Sequence, residues 1–260
     1  MIFRTTYFAT ALVAMLSLTA QANGVQKNGS SDSVRAEPRG FIYGVGVGLN
    51  QELYQDYRRR VVPIPIIGYR GERLSVYGPF ISYDVLKYDD ITLSLRLAPR
   101  FAGVSESDSP VFAGMAKRKT SMDVGAGIQL NRERWRYEFN VLADALNNSN
   151  GYEVSSAVSY RYQTGPFFIE PKLSLYYSDS NLVDYYYGVR PEEATEQRPA
   201  YQAGSVINYG TGVSIATPIF AGGMTRLGLE HRWYGDSIAD SPLTDRRRGF
   251  QLFFSYSRFF

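Results

Sequence analysis

The stretch RWRYEFNVLADA, Arg134 to Ala145, alternates almost without a break. Trp135, Tyr137, Phe139, Val141, Ala143 and Ala145 share one parity. Arg134, Arg136, Glu138, Asn140 and Asp144 share the other, with Leu142 the one apolar intruder. Successive side chains of a strand point to opposite faces, so this segment has an oily face and a charged face. A soluble sheet with one buried face reads the same way. The rest of the chain has to separate the two cases.

From about residue 40 to Phe260 the pattern recurs. The apolar sets expected to face outward begin with Phe41, Tyr43, Val45, Val47 and Leu49, then Val62, Ile64 and Ile66. Ile91 to Leu97, Met122 to Leu130, Tyr152 to Tyr160 and Phe167 to Leu175 follow, each alternating with polar residues. Ile207 to Ile215, Leu227 to Trp233 and Phe250 to Tyr256 complete the series. Short turns at 69–72, 87–90, 131–133, 164–166 and 220–223 alternate with long connections at 50–60, 102–119, 179–203 and 235–248 and a compact one at 147–151. Short turns on one side and long loops on the other are the mark of a membrane barrel. The alternation closes only if 73–87 holds two strands, broken at Gly78-Pro79. The expectation is an all-β, closed antiparallel transmembrane β-barrel of twelve strands, or ten if 73–87 fails to cross twice, with both termini periplasmic. Trp135 follows a short turn and Trp233 precedes a long loop, which assigns them to opposite interface belts.

Residues 1–22 read as a signal peptide: Arg4, a short apolar run from Tyr7 to Leu18, and Ala20-Gln21-Ala22 as a cleavage site. That run is too short to span as a helix, which takes about 20 residues. Residues 23–39 are polar and aperiodic, as a flexible periplasmic leader would be, and 40–260 form the barrel domain. A chain exported to a membrane without a spanning helix can cross only as a closed barrel. The location implied is the outer membrane of a Gram-negative cell, with lipid and lipopolysaccharide around the wall. Net charge is +3, or +2 without Arg4, too balanced for nucleic-acid binding.

The inward parity is rich in charge: Arg96, Arg100, Arg134, Arg136, Arg161, Lys172, Arg226 and Arg232 against Glu138, Asp144, Glu153, Glu170 and Glu230. That is eight basic and five acidic groups. They fit an ion-pair network filling the interior or a narrow, weakly anion-preferring passage. Twelve strands lie between filled and open barrels. Unpaired charges in a low-dielectric wall are costly, so pairing and a mostly occluded lumen are expected. Catalysis is not indicated: His231 is the single histidine, placed outward beside Trp233, and there is no cysteine. Neither a metal nor any other cofactor is called for. Asp89-Asp90 and Glu192-Glu193 read as solvated loop charges, and the glycines of GVGVG (44–48) as room for curvature or for lumenal arginines. Two loops could act in surface recognition, through Lys117, Arg118 and Lys119 in one and Tyr185, Tyr186, Tyr187 and Glu192 in the other.

Several stretches carry a resemblance across essentially the whole mature chain: VPIPIIGYR (62–70), APRFAG (98–103), SPVFAGMAKRKTSMDVGAG (109–127), YYYGVRPEEATEQRPAYQAGS (185–205) and ADSPL (239–243). In these the chain resembles the MipA/OmpV family of outer-membrane proteins. The resemblance implies a non-enzymatic scaffold for a lytic murein transglycosylase and a murein synthase, or alternatively a surface adhesin or receptor. One departure stands at the C-terminus, where Arg258 takes an outward place usually given to an aromatic or apolar residue. Near the interface an outward Arg costs only ~0–1 kcal/mol.

Overall fold

The computed structural model describes residues 39–260, so the expected signal peptide (1–22) and all but the last residue of the leader (23–39) lie outside it. Thirteen strand segments follow: β1 (Gly40–Gln51), β2 (Arg59–Arg70), β3 (Leu74–Tyr77), β4 (Phe80–Tyr88), β5 (Ile91–Arg100), β6 (Ser121–Arg132), β7 (Trp135–Asp144), β8 (Tyr152–Tyr160), β9 (Tyr162–Thr164), β10 (Phe167–Ser178), β11 (Val206–Thr217), β12 (Met224–Trp233) and β13 (Arg248–Phe259). β8 and β9 are one strand interrupted at Arg161, and both pair with β10. Each strand pairs antiparallel with its neighbours in sequence, and β1 pairs with β13 from Ile42↔Phe259 to Asn50↔Gln251. The sheet therefore closes on itself as a twelve-stranded barrel. No helix among the described residues is long and apolar enough to cross a membrane.

Closure leaves no sheet edge in lipid, except at one place. β3 is four residues long and covers β2 only at Gly68–Arg70. It turns at Gly78-Pro79 into β4, where Gly78 takes φ +58°, a backbone conformation that favours glycine. The third and fourth strands exist, as their sequence break implies, but they meet partway up the wall.

The outer face carries the oily parity in nearly every strand, with Phe41, Val45, Leu95, Val124, Phe139, Leu173 and Phe250 all exposed. Trp135 stands at the turn end of β7 and Trp233 at the loop end of β12. His231 lies on the outer face, its ring stacked on Phe250 at 4.3 Å and against Trp233 at 4.1 Å.

β2 corrects the reading of its own stretch. Val62, Ile64 and Ile66 point inward, with Ile66 0 % exposed, while Val61, Ile67 and Tyr69 face out. Here both parities are apolar through the middle of the strand, so hydrophobicity cannot choose between them. The charged ends could have: Arg60 and Arg70 share the parity of Val62, Ile64 and Ile66, and both are buried inside.

Candidate functional site: the barrel interior and its loop cap

The interior has two unlike halves. Behind β1 to β5 and β13 lies an apolar cluster of Ile42, Val62, Ile64, Ile66, Tyr77, Phe80, Ala98 and Phe253, with Phe101 and Phe259 packed against it. Gly46 on β1 leaves space there, since a Cβ would sit 3.4 Å from the Phe253 ring.

The other half, from β5 to β12, is a ladder of ion pairs. Near the loop end Arg100 bridges Asp123 and also faces Glu153 at 3.7 Å. Near the turn end Arg136 pairs with Glu170 at 2.8 Å, and the Ser159 hydroxyl donates to the same carboxylate at 2.6 Å. On the next wall Lys172 and Arg232 converge on Glu230 at 3.0 and 2.7 Å. The Tyr176 hydroxyl donates to Glu230 at 3.0 Å, and the Arg232 guanidinium lies 3.7 Å above the Tyr176 ring. Glu230 is 1 % exposed. Two cations and a phenol compensate the burial of this carboxylate.

Of the thirteen charged residues expected inside, these pairs account for Arg100, Arg136, Glu153, Glu170, Lys172, Glu230 and Arg232. Arg96 turns inward and its Nε donates to Ser94 Oγ at 3.2 Å. It lies over Gly127, where a Cβ would come within 2.7 Å of that nitrogen. Glu138 and Arg226 are also buried. Three others have different places. Arg134 is exposed in the turn between β6 and β7. Arg161 sits at the break between β8 and β9, where it donates to the Glu133 carbonyl at 3.1 Å. Asp144, at the loop end of β7, accepts from Ser121 Oγ and from the backbone N–H of Leu146, Ser149 and Asn150, which fixes the 145–151 loop. Asp123, 0 % exposed and paired with Arg100, belongs to the ladder although sequence reasoning missed it. Its inward parity beside Gly125 and Gly127 was the available signal.

The long loops fold over one barrel mouth as a packed cap. It contains a helix α1 (Ser180–Tyr187), a short helix α2 (Asp236–Ala239) and 3-10 turns at Pro110–Phe112 and Pro191–Glu193. Asp179 caps α1 by accepting from the N–H of Asn181 and Leu182. Tyr54, Val104, Phe112, Met115, Val189 and Leu243 form one apolar core from four loops. Leu53, Val183, Ala203, Val206 and Ile238 form a second.

Most of the expected recognition residues are built into this cap. Arg118 is buried and grips Glu193 with both terminal nitrogens, at 2.8 and 2.7 Å. Glu193 is therefore not a solvated loop charge. Burial pushes its carboxyl up, but the Arg118 hydrogen bond and the backbone N–H of Arg190 and Ala116 outweigh this, holding it at about 2. Tyr186 is buried and donates to the Lys119 carbonyl at 3.2 Å, while the Lys119 N–H donates to the Tyr185 hydroxyl at 2.8 Å. Tyr187 stacks on Tyr54 at 5.3 Å. Burial pushes the Tyr186 phenol up, against the opposing pull of Arg100. Lys117, Lys119 and Glu192 remain exposed.

The arrangement bears on comparison with known proteins. The model of the family described as MltA-interacting protein MipA matches residues 43–260. The chain is similar to the MltA-interacting protein of Escherichia coli (strain K12), 27% identical over 236 residues, covering 89% of this chain and 94% of that one. It is also similar to outer membrane protein Omp26La of Vibrio anguillarum, 24% identical over 241 residues and covering 92% of each. Outer membrane protein OmpV of Vibrio cholerae is 25% identical over 203 residues, 77% of this chain and 79% of the other.

Proposed function

The chain belongs to the MltA-interacting protein family, and from that premise we propose that this outer-membrane barrel works by contact and not by transport. It acts as a non-enzymatic scaffold that holds murein-hydrolysing and murein-synthesising enzymes at the membrane. The observation carrying this reading is the pairing and packing of side chains inside the barrel. Glu230, Glu170 and Asp123 are each matched by buried cations, and the opposite half is packed with Ile64, Ile66, Phe80 and Phe253. Interior charges that already hold one another offer a passing ion few free counter-charges. The name of the Escherichia coli relative supports a murein transglycosylase as the partner.

In this reading both termini are periplasmic and the cap faces outward. The rim available to a periplasmic enzyme then consists of short turns of mixed charge, including the Arg39–Glu72 pair at 2.7 Å and the Asp90–Arg132 pair at 3.7 Å. The test is capture of a purified lytic transglycosylase by the reconstituted full chain. Binding that weakens when Arg132 and Arg134 are both changed to Glu supports the scaffold, and no binding by the unaltered chain refutes it. Planar-bilayer recording adds an independent check. Large, stable, ohmic steps would overturn occlusion, and small anion-selective steps would move the role to a pore.

A further inference from the structure

The wall has a notch. Above Gly78-Pro79, the β2 edge from Arg59 to Ile67 has no strand beside it on the side away from β1. β4 begins only at Phe80 and meets β5 no higher than Ile81↔Leu97. The groups aimed into the notch are those of the odd residues: the Ile67 carbonyl accepts the Gly78 N–H, and the Pro65 carbonyl would lie 3.0 Å from a Cβ on Gly78. Pro63 and Pro65 belong to this set, so two of the positions on the open edge carry no donor. An added strand would lack those ladder bonds, which protects the edge from pairing. An unpaired N–H in lipid is costly, and here two have been removed. The edge suits a neighbour that makes no hydrogen bonds.

Behind the notch is the apolar half of the interior, with Phe80 and Phe101 edge to face at 6.4 Å on its β4–β5 side. Its upper end is tied by Arg60, whose Nη1 donates to the Gly103 carbonyl at 2.8 Å. At the same end, Arg58 and Arg59 are exposed with no acidic partner among the described residues. Below them lie Val61 and Ile67, the latter 76 % exposed. From Arg59 to Ile67 the strand rises about 26 Å, or about 20 Å of depth at a tilt of ~40°. That is close to one leaflet with its headgroup layer, half of a bilayer ~40–45 Å thick overall.

We propose that the notch holds one phosphate-bearing membrane lipid, its headgroup on Arg58 and Arg59 and an acyl chain along the Val61–Ile67 edge against the Phe80–Phe101 seam. Exposed guanidiniums favour a phosphate, which each can grip bidentately, and the donor-poor edge favours a hydrocarbon chain. The site is independent of the scaffold role, and its test involves no murein enzyme.

The folded full chain is placed in phosphatidylcholine vesicles containing a trace of phosphatidylglycerol with a photoreactive group on its acyl chain, and cross-links are mapped. The result expected is cross-linking concentrated in 61–67, 77–80 and 98–101, falling at least fivefold in Arg58→Gln/Arg59→Gln. Excess unlabelled phosphatidylglycerol should compete on the unaltered chain, which makes the result independent of the variant. Cross-links spread evenly around the belt, or undiminished in the double variant, would overturn the site. Equal labelling of the notch by photoreactive oleic acid would overturn the choice of a phosphate lipid.

Discussion

Lys172 on β10 and Glu230 on β12 meet over Gly212 of the strand between them, Nζ to Oε2 at 3.0 Å. The registers Lys172↔Gly212 and Gly212↔Glu230 put the three in one row. A side chain on Gly212 would stand in this path, and even its Cβ would lie 2.7 Å from the Leu229 carbonyl. Gly210, the next residue of that parity, clears space in the same way: a Cβ there would meet Glu230 at 3.2 Å and the Tyr176 ring at 3.3 Å.

Removing the hub of this cluster should be costly. Glu230→Gln leaves Lys172 and Arg232 buried without a counter-charge, a loss of about 3–5 kcal/mol. The urea midpoint of the barrel in micelles is the measurement. Lys172→Met/Glu230→Gln should recover some of the loss, because one of the stranded cations is gone.

The cap has its own keystone. Arg118→Ala strands Glu193 among loop backbone atoms, and the penalty again is about 3–5 kcal/mol, confined to the loops. The expected outcome is rapid proteolysis of 102–119 and 179–203 while the barrel keeps its compact, heat-modifiable gel mobility. Loops that stay protected would show that the apolar clusters suffice without the ion pair.

Acid should loosen the cap late. The Glu193 carboxyl titrates at about 2 in the folded chain against an ordinary 4.5. A depressed folded value means the contribution is fully present above the ordinary value and is lost as pH falls through the folded one. Pepsin resistance of the cap should therefore begin to decline below about pH 4.5 and be lowest towards pH 2. In Glu193→Gln that particular pH step should be absent.

The orientation of β2 can be tested with single cysteines, since the chain has none. Ile67→Cys should react with a lipid-soluble maleimide in vesicles and Ile66→Cys should not. The reverse pattern would overturn the inward placement of Val62, Ile64 and Ile66.

The alternation of Arg134–Ala145 and its repeats determined the barrel by itself. An outward charge costs ~2–4 kcal/mol at the membrane midplane, so lipid enforces parity in every strand that carries charge, and strand number and direction follow from turn lengths. That rule is silent where both faces are apolar. In VPIPIIG the apolar residues could not say which face is which, and only the charged ends Arg60 and Arg70, drawn inside, carried the answer. The shortness of β3 was invisible, because a strand's height depends on its neighbours' stagger and not on its own residues. The Tyr176 and Lys172 partners of Glu230, and the Glu193 partner of Arg118, come from strands and loops more than 50 residues away. Alternation can say that a charge faces inward, but only register can say which opposite charge it meets.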